Sequence, residues 1–147
     1  MIALACDHGG YALKEQVKAH LAELGHEVKD FGTNSPDSCD YPDFIAPAAR
    51  AVAAGDCEKG IVICTTGIGV SIVANKVPGV RCALCGDLLS AELTRQHNNT
   101  NMLAMGAGVI GANLALAIVD KWLTTEFEGG RHQRRVNKIT DVEQGRL

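Results

Sequence analysis

The amino-acid sequence predicts an α/β doubly wound fold, in which helices cover both faces of a parallel sheet of five strands. Short, nearly continuous apolar runs alternate with longer segments whose apolar residues recur at helical spacing. Hydrophobic residues make up 46% and charged residues 21% of the 147 residues, which is ordinary for a globular domain. Because no linker rich in proline or serine interrupts the pattern, we expect one domain over residues 1–147. Its last part, about residues 127–147, is expected to form a C-terminal helical arm at the subunit interface.

Five apolar runs are the candidate strands. They cover residues 2–6, 27–31, 61–64, 80–85 and 102–105. Four of them are almost entirely apolar, as strands buried on both faces of a parallel sheet are. The run at 27–31 is more polar, which predicts an edge strand.

The segments between these runs are predicted to be helices. In the first, apolar residues recur every three or four positions from 13 to 24, and Gly25 follows as a C-terminal stop. The others cover about residues 45–54, 68–76, 88–96 and 114–123, and a charged last helix begins at about Arg131. Asp87 is placed to cap the fourth helix.

Charge and aromatic content disfavour several classes of partner. The net charge is −3 and aromatic residues make up only 4%, whereas nucleic-acid-binding domains show a basic face or aromatic stacking platforms. No apolar run reaches the ~18 residues that a membrane span needs. The first apolar run meets Asp7 and His8 too soon for a secretory signal. We therefore expect a cytoplasmic protein that binds neither nucleic acid nor membrane.

The six cysteines are expected to be reduced thiols, since the chain shows no secretory signal. Cys6, Cys64 and Cys82 lie in or at the ends of apolar runs, where cysteine behaves as a small hydrophobic residue. Cys82 and Cys85 have a C-x-x-C spacing, but strand residues three apart point to opposite faces of a sheet. We therefore expect no zinc site.

Two strand ends carry the residues best suited to chemistry, because ligands of open parallel sheets bind beyond the carboxyl ends of the strands. The first strand runs into Asp7-His8-Gly9-Gly10, and the third runs into Cys64-Thr65-Thr66-Gly67-Ile68-Gly69-Val70-Ser71. The two glycines of the second segment allow a tight turn, and the helix that follows would stabilise an oxyanion and the thiolate of Cys64. The alternative interpretations are a buried cysteine before a glycine turn and a solvated turn after the first strand.

Further candidate residues lie on the fourth and last helices. His97 ends the fourth helix, and Arg131 and Arg135 are one turn apart, so that they could clamp a phosphate together. The alternatives are a helix cap and a solvated charged face. Helices in such folds run antiparallel to the strands, so His97 should lie at the edge of the sheet opposite Cys64. If both serve one site, His97 has to come from a second subunit, which predicts a dimer with shared sites.

Several motifs occur together in one order and register. They are Asp7-His8-Gly9-Gly10, Asp40-Tyr41-Pro42, the segments 60–69 and 74–81, Arg95-Gln96-His97-Asn98 and Gly129-Gly130-Arg131-His132. On these motifs the chain resembles, over nearly its whole length, the ribose-5-phosphate isomerases of the B type, a family that includes allose- and galactose-6-phosphate isomerases. The resemblance implies a Rossmann-like α/β/α sandwich, a homodimer or dimer of dimers, no metal or organic cofactor, and aldose–ketose isomerisation through an enediolate.

The resemblance also implies roles for individual residues. Cys64 matches the family's thiol base, which moves a proton between C2 and C1 of the open-chain sugar phosphate; one branch instead carries a glutamate base at the position of Val70. Thr66 and the backbone N–H groups of Gly67, Ile68, Gly69, Val70 and Ser71 would hold the enediolate oxygens. Asp7 and His97 match residues that open the furanose ring, and Asn98 matches a ligand of the sugar hydroxyls. His8, Arg131 and Arg135 match the phosphate ligands, and Tyr41 would line the pocket.

Three positions depart from the family pattern. Thr65 stands where many members have glycine, Asn99 replaces a common aspartate, and Gly108 stands where many members place an arginine that helps to hold the phosphate. We expect the enzyme that the resemblance implies to interconvert ribose 5-phosphate and ribulose 5-phosphate. The three departures leave a 6-phosphohexose, such as allose or galactose 6-phosphate, as the alternative substrate. Two non-catalytic alternatives are a sugar-phosphate-binding paralogue and a nucleotide-binding module, the latter suggested by a partial G-x-G-x-x-G whose third glycine is Ile72.

Overall fold

A computed structural model describes residues 1–147 as five strands and six helices. The strands are β1 (Ile2–Cys6), β2 (Val28–Asp30), β3 (Lys59–Cys64), β4 (Cys82–Leu84) and β5 (Met102–Gly106). Their order across the sheet is β2-β1-β3-β5-β4, and every neighbouring pair is parallel. The predicted parallel five-stranded α/β fold is confirmed, and the polar run at 27–31 does lie at an edge.

One strand is shorter than the apolar run at 80–85 predicts. Val80 closes the preceding turn by donating its backbone N–H to the carbonyl of Val77 at 3.1 Å. The backbone N–H of Arg81 donates to the side chain of Asn101 at 2.8 Å instead of to a neighbouring strand. Regular pairing therefore starts only at Cys82.

The helices lie close to the predicted segments. They are α1 (Tyr11–Glu23), α2 (Pro42–Ala53), α3 (Ile68–Asn75), α4 (Leu88–Asn98), α5 (Ala112–Thr124) and α6 (Arg131–Glu143), and one 3-10 turn (His8–Gly10) joins β1 to α1. Asp87 caps α4 as predicted, because its Oδ1 accepts the backbone N–H of Ser90 at 2.7 Å. Helix α2 starts earlier than predicted, with Pro42 at its first position, where a proline has no hydrogen bond to lose. None of the six helices has the length and apolar character needed to cross a membrane.

Alternation along the strands builds a separate apolar core on each face of the sheet. The core between the sheet and α1, α4 and α5 includes the strand residues Ile2, Leu4, Ile61 and Ile63 and the fully buried Trp122 of α5. The residues under α2 and α3 include Ala3, Ala5, Val62 and Cys64. The side chain of Cys64 is therefore directed toward the layer that contains α3, the helix that follows it in the chain.

The most deeply buried charged residue is Lys14, which no sequence pattern singles out. Its Nζ lies 2.9 Å from each carboxylate oxygen of Asp30 and 2.6 Å from the carbonyl of Thr33. Burial would raise the pKa of Asp30, but hydrogen bonds from Lys14, from the backbone of Gly32 and from Lys18 together hold that pKa below its ordinary value. The cluster fixes α1 to the loop after β2.

Helix α6 lies against α4 at the amino edge of the sheet, the edge where the strands begin. The backbone N–H of Glu128 donates to the carbonyl of Gln96 at 3.1 Å, and Glu143 accepts the backbone N–H of Gly79 at 3.0 Å. Val136 is the only buried residue of the helix. The C-terminal arm thus packs on its own chain through a narrow contact and leaves a charged surface exposed.

Candidate active site

The turn after β1 holds Asp7 and His8 at the carboxyl edge of the sheet, where the strands end. Asp7 is 8% exposed, and its Oδ1 accepts the backbone N–H of Gly10 at 3.0 Å. His8 is exposed, and its Nδ1 accepts the backbone N–H of Cys39 at 3.3 Å. That contact places the imidazole proton on Nε2, which is then free to donate to a ligand.

Cys64 ends β3 with its sulfur facing the start of α3. Its Sγ accepts the backbone N–H of Gly67 at 3.1 Å, and the residue is 6% exposed. Gly67 has a φ of +79°, and a Cβ there would lie 2.8 Å from the backbone carbonyl carbon of Met105, so the turn requires glycine. The N–H donor and the N-terminus of α3 both stabilise negative charge on the sulfur.

The backbone N–H groups at the start of α3 are partly occupied. That of Ile68 donates to Oγ1 of Thr66 at 3.2 Å, and that of Ser71 donates to the carbonyl of Gly67 at 3.2 Å. Those of Gly69 and Val70 have no partner in the chain. Of the backbone N–H groups expected to hold the enediolate oxygens, at residues 67–71, these two are therefore the ones without a partner in the chain. The side chain of Val70 is fully buried.

Tyr41 connects the turn after β1 with the start of α3. It lines a cavity of ≈ 670 Å³ together with Asp7 and His8. Its ring also packs on Gly69 so closely that a Cβ there would lie 2.8 Å from the ring carbon Cζ. Asp7, His8, Tyr41 and the Cys64 turn thus form one continuous site.

A second polar cluster lies at the amino edge, between the end of α4 and the start of α6. It consists of His97, Asn98, Arg131, His132 and Arg135, which line a cavity of ≈ 320 Å³. Neither arginine has an acidic partner in the chain, so both guanidinium groups are free to bind an anion.

His132 and Glu128 also belong to this cluster, and neither is among the predicted site residues. The rings of His97 and His132 are stacked with centroids 4.3 Å apart, and Nε2 of His97 lies 3.9 Å from a carboxylate oxygen of Glu128. Desolvation and the neighbouring charges of His97 and Arg131 lower the pKa of His132. No local sequence signal could reveal this arrangement, because it depends on how α6 packs against α4.

Two groups of residues bear on metal binding. The ligand atoms of His97, Glu128 and His132 lie within 4.8 Å of one another, but the two rings are only 12° from parallel, so their nitrogen lone pairs do not converge on one point. Cys82 and Cys85 pack into the cores on opposite faces of the sheet, as predicted, and all six cysteines are free. Burial raises the pKa of Cys82 to about 12 and that of Cys85 to about 11, so both are thiols.

The structure divides the predicted site residues between the two edges of the sheet. Asp7, His8, Tyr41, Cys64 and Thr66 lie at the carboxyl edge, whereas His97, Asn98, Arg131 and Arg135 lie at the amino edge. The five residues of β5 separate the edges by about 16 Å at ~3.3 Å per residue. The prediction that His97 lies opposite Cys64 is confirmed, and the two groups do not meet within one chain.

The chain is similar to known proteins over nearly its whole length. The family model described as Ribose/Galactose Isomerase matches residues 2–139. Ribose-5-phosphate isomerase B of Escherichia coli is 52% identical over 145 residues, which cover 99% of this chain and 97% of that protein. The solved ribose-5-phosphate isomerase B of Clostridium thermocellum is 51% identical, with a TM-score of 0.97 and 99% of each chain covered. That of Mycoplasma genitalium, solved with bound ribulose-5-phosphate, is 42% identical, with a TM-score of 0.94 and coverages of 97% and 95%.

Proposed function

This chain belongs to the ribose/galactose isomerase family, and we propose that it is an aldose–ketose isomerase that interconverts ribose 5-phosphate and ribulose 5-phosphate. The observation that carries the proposal is the position of Cys64 at the N-terminus of α3. An N–H donor contacts its sulfur, and two unpartnered N–H groups lie beside it. The relatives and solved structures that share this fold support the choice of substrate.

In the proposed reaction, the thiolate of Cys64 is the base. It removes the proton from C2 of the open-chain aldose phosphate, and the C–H electron pair becomes the enediolate double bond while negative charge moves to O1. The N–H groups of Gly69 and Val70 stabilise that charge. The sulfur then returns the proton to C1, and the proton of O2 passes to O1, so that the ketose forms without a net change in atoms or electrons.

The Thr66 hydroxyl is placed to take part in the movement of the O2 proton. Its oxygen accepts the N–H of Ile68 and its own proton remains available to donate. Cys6, at the end of the neighbouring strand, is unsuited to the role of base. Burial, only partly offset by Lys14, raises the pKa of Cys6 to about 12.

The other site residues bind and open the sugar phosphate. Asp7 and His97 transfer the protons that open the furanose ring, and Asn98 binds sugar hydroxyls. His8, through its free Nε2, binds the phosphate together with Arg131 and Arg135. Tyr41 closes one side of the pocket.

The working site combines the carboxyl edge of one subunit with the amino edge of its partner in a homodimer. The support is the division of the site residues between edges that lie about 16 Å apart, too far for any proton transfer. Several apolar side chains around the carboxyl end of β4 are exposed, and a partner subunit would bury them. They are Ile68, Ile72, Leu84, Leu88, Leu89 and Val109. The C-terminal arm, which carries Arg131 and Arg135, lies at the interface in this arrangement.

Six free thiols fit a reducing compartment, so we place the enzyme in the cytoplasm.

The test follows the reaction in D₂O with ribose 5-phosphate, allose 6-phosphate and galactose 6-phosphate in separate samples. Proton NMR detects both the ketose and the exchange of hydrogen at the reacting carbon. We expect turnover of ribose 5-phosphate, and its loss in Cys64→Ala, which should still bind substrate. Cys57→Ala is the matched control, because Cys57 is another buried cysteine and belongs to neither group of site residues.

Each result has a distinct meaning. Full activity in Cys64→Ala would refute the thiol base. Preference for a hexose phosphate would keep the mechanism and change the substrate. No turnover of any of the three sugars by the wild-type chain would refute the proposed function.

A further inference from the structure

The side chain of Thr65 fills a narrow space between two loops at the carboxyl edge. A Cβ added at Gly108, in the loop after β5, would lie 2.9 Å from Cγ2 of Thr65. A Cβ added at Gly9, in the turn after β1, would overlap Oγ1 of Thr65. The methyl group of Thr65 therefore faces Gly108, and its hydroxyl faces the turn that carries Asp7 and His8.

The backbone at Thr65 is fixed, but its hydroxyl is free. The carbonyl of Thr65 accepts the backbone N–H of Gly108 at 2.8 Å, so the turn that follows β5 holds the first residue after β3 in place. The side chain is exposed, and its hydroxyl makes no hydrogen bond within the chain, whereas the hydroxyls of Thr66 and Ser71 nearby both do. A threonine with a fixed backbone and packed methyl group presents its hydroxyl with little rotational freedom to lose on binding.

The direction of the side chain separates Thr65 from the reacting carbons. The side chain of Cys64 faces the layer of α2 and α3, whereas the side chain of Thr65 lies against Gly9 and Gly108, in the turns that follow β1 and β5. Thr65 thus lies away from the sulfur and toward the turn that bears His8. Under the proposed function, His8 binds the phosphate of the substrate.

We propose that Thr65 is a further substrate-binding residue, whose hydroxyl donates a hydrogen bond to the phosphate group of the sugar phosphate. This inference rests on the proposed function for the identity of the substrate. A hydrogen bond to a charged phosphate oxygen is worth enough to change affinity by about tenfold. Thr65 would then hold the phosphate from the carboxyl edge, while the partner's arginines hold it from the other side.

The test compares variants that separate the hydroxyl from the shape of the side chain. Thr65→Val keeps the shape and removes the hydroxyl, and Thr65→Ser keeps the hydroxyl and removes the methyl group. For each we would measure KM and kcat for ribose 5-phosphate, the inhibition constant of inorganic phosphate, and the melting temperature. We expect Thr65→Val to raise KM and the phosphate inhibition constant by the same factor, about tenfold, with a smaller effect on kcat. Thr65→Ser should recover most of the affinity.

The comparison with inorganic phosphate decides between binding and mere packing. Unchanged values in Thr65→Val, or a raised KM with an unchanged phosphate inhibition constant, would overturn the proposal. If Thr65→Val does not fold, Thr65→Ala replaces it. If the wild-type chain does not turn over ribose 5-phosphate, the rise in melting temperature with added phosphate is compared instead. Loss of that rise in Thr65→Val then supports the role of Thr65, and its persistence refutes it, independently of the failed substrate.

Discussion

A mixture of two inactive variants should regain activity if each site is built from two subunits. Cys64→Ala removes the base at the carboxyl edge, and His97→Ala removes the ring-opening group at the amino edge. The edges lie about 16 Å apart along β5, whereas proton transfer needs contacts of ~3 Å, so one chain cannot supply both groups to one sugar. In a heterodimer of the two variants, one site carries both substitutions and the other carries neither.

The expected recovery follows from counting. Random reassociation makes about half of the dimers heterodimers, and each has one intact site of two, so the mixture should reach about a quarter of wild-type activity. The subunits would be separated in mild denaturant, mixed at equal concentration and refolded, with heterodimers measured by mass spectrometry. Cys64→Ala mixed with the Cys64→Ala/His97→Ala double variant is the control, because no pairing of those chains restores a site. Verified heterodimers without activity above that of the parents would refute the shared site.

Three further outcomes follow from the packing. Lys14→Met should lower the free energy of unfolding by about 3 kcal/mol in chemical denaturation, since it leaves the carboxylate of Asp30 buried without its main partner; a loss below ~1 kcal/mol would contradict this. Because folding lowers the pKa of Asp30, the ionised carboxylate contributes fully to stability above the unfolded pKa of ~3.9. That contribution is lost as the pH falls through the folded pKa. The melting temperature should therefore drop in that pH range, and it should drop less in Asp30→Asn. An NMR titration should give a pKa for His132 below the ordinary ~6.5. That pKa should rise toward ~6.5 in His97→Ala, because a neighbouring positive charge is removed.

Most of the fold could be predicted from local patterns. Continuous apolar runs and helical spacing identify all five strands and six helices, because burial on both faces of a sheet and on one face of a helix leaves different periods in the sequence. The bounds of a strand shift where a turn or a side chain uses the backbone groups that would pair with a neighbouring strand. Val80 and Arg81 lie in the run that predicts β4, but their N–H groups donate to a turn carbonyl and to the side chain of Asn101.

The candidate site could be predicted where it depends on strand ends, and less well where it depends on packing between distant segments. The ends of β1 and β3 bring Asp7, His8 and Cys64 together by topology alone. The same limit applies outside the site. The buried pair of Lys14 and Asp30 joins residues 16 apart in the sequence, and it forms only when α1 packs against the end of β2 and the loop that follows. A lysine at a helical position facing the core carries no sequence mark that distinguishes it from a solvated one.

The contact of Thr65 with Gly108 also governs the order in which these positions can change during evolution. Since a Cβ at 108 would lie 2.9 Å from the methyl group of Thr65 and 3.1 Å from its carbonyl oxygen, a side chain at 108 requires Thr65 to shift. A side chain at 108 is easier to accommodate once residue 65 is smaller, such as serine or glycine, and a threonine at 65 is easier to accommodate while glycine stands at 108. The same substitution at 108 is therefore acceptable in one ancestor and harmful in another, and homologues should change at the two positions together.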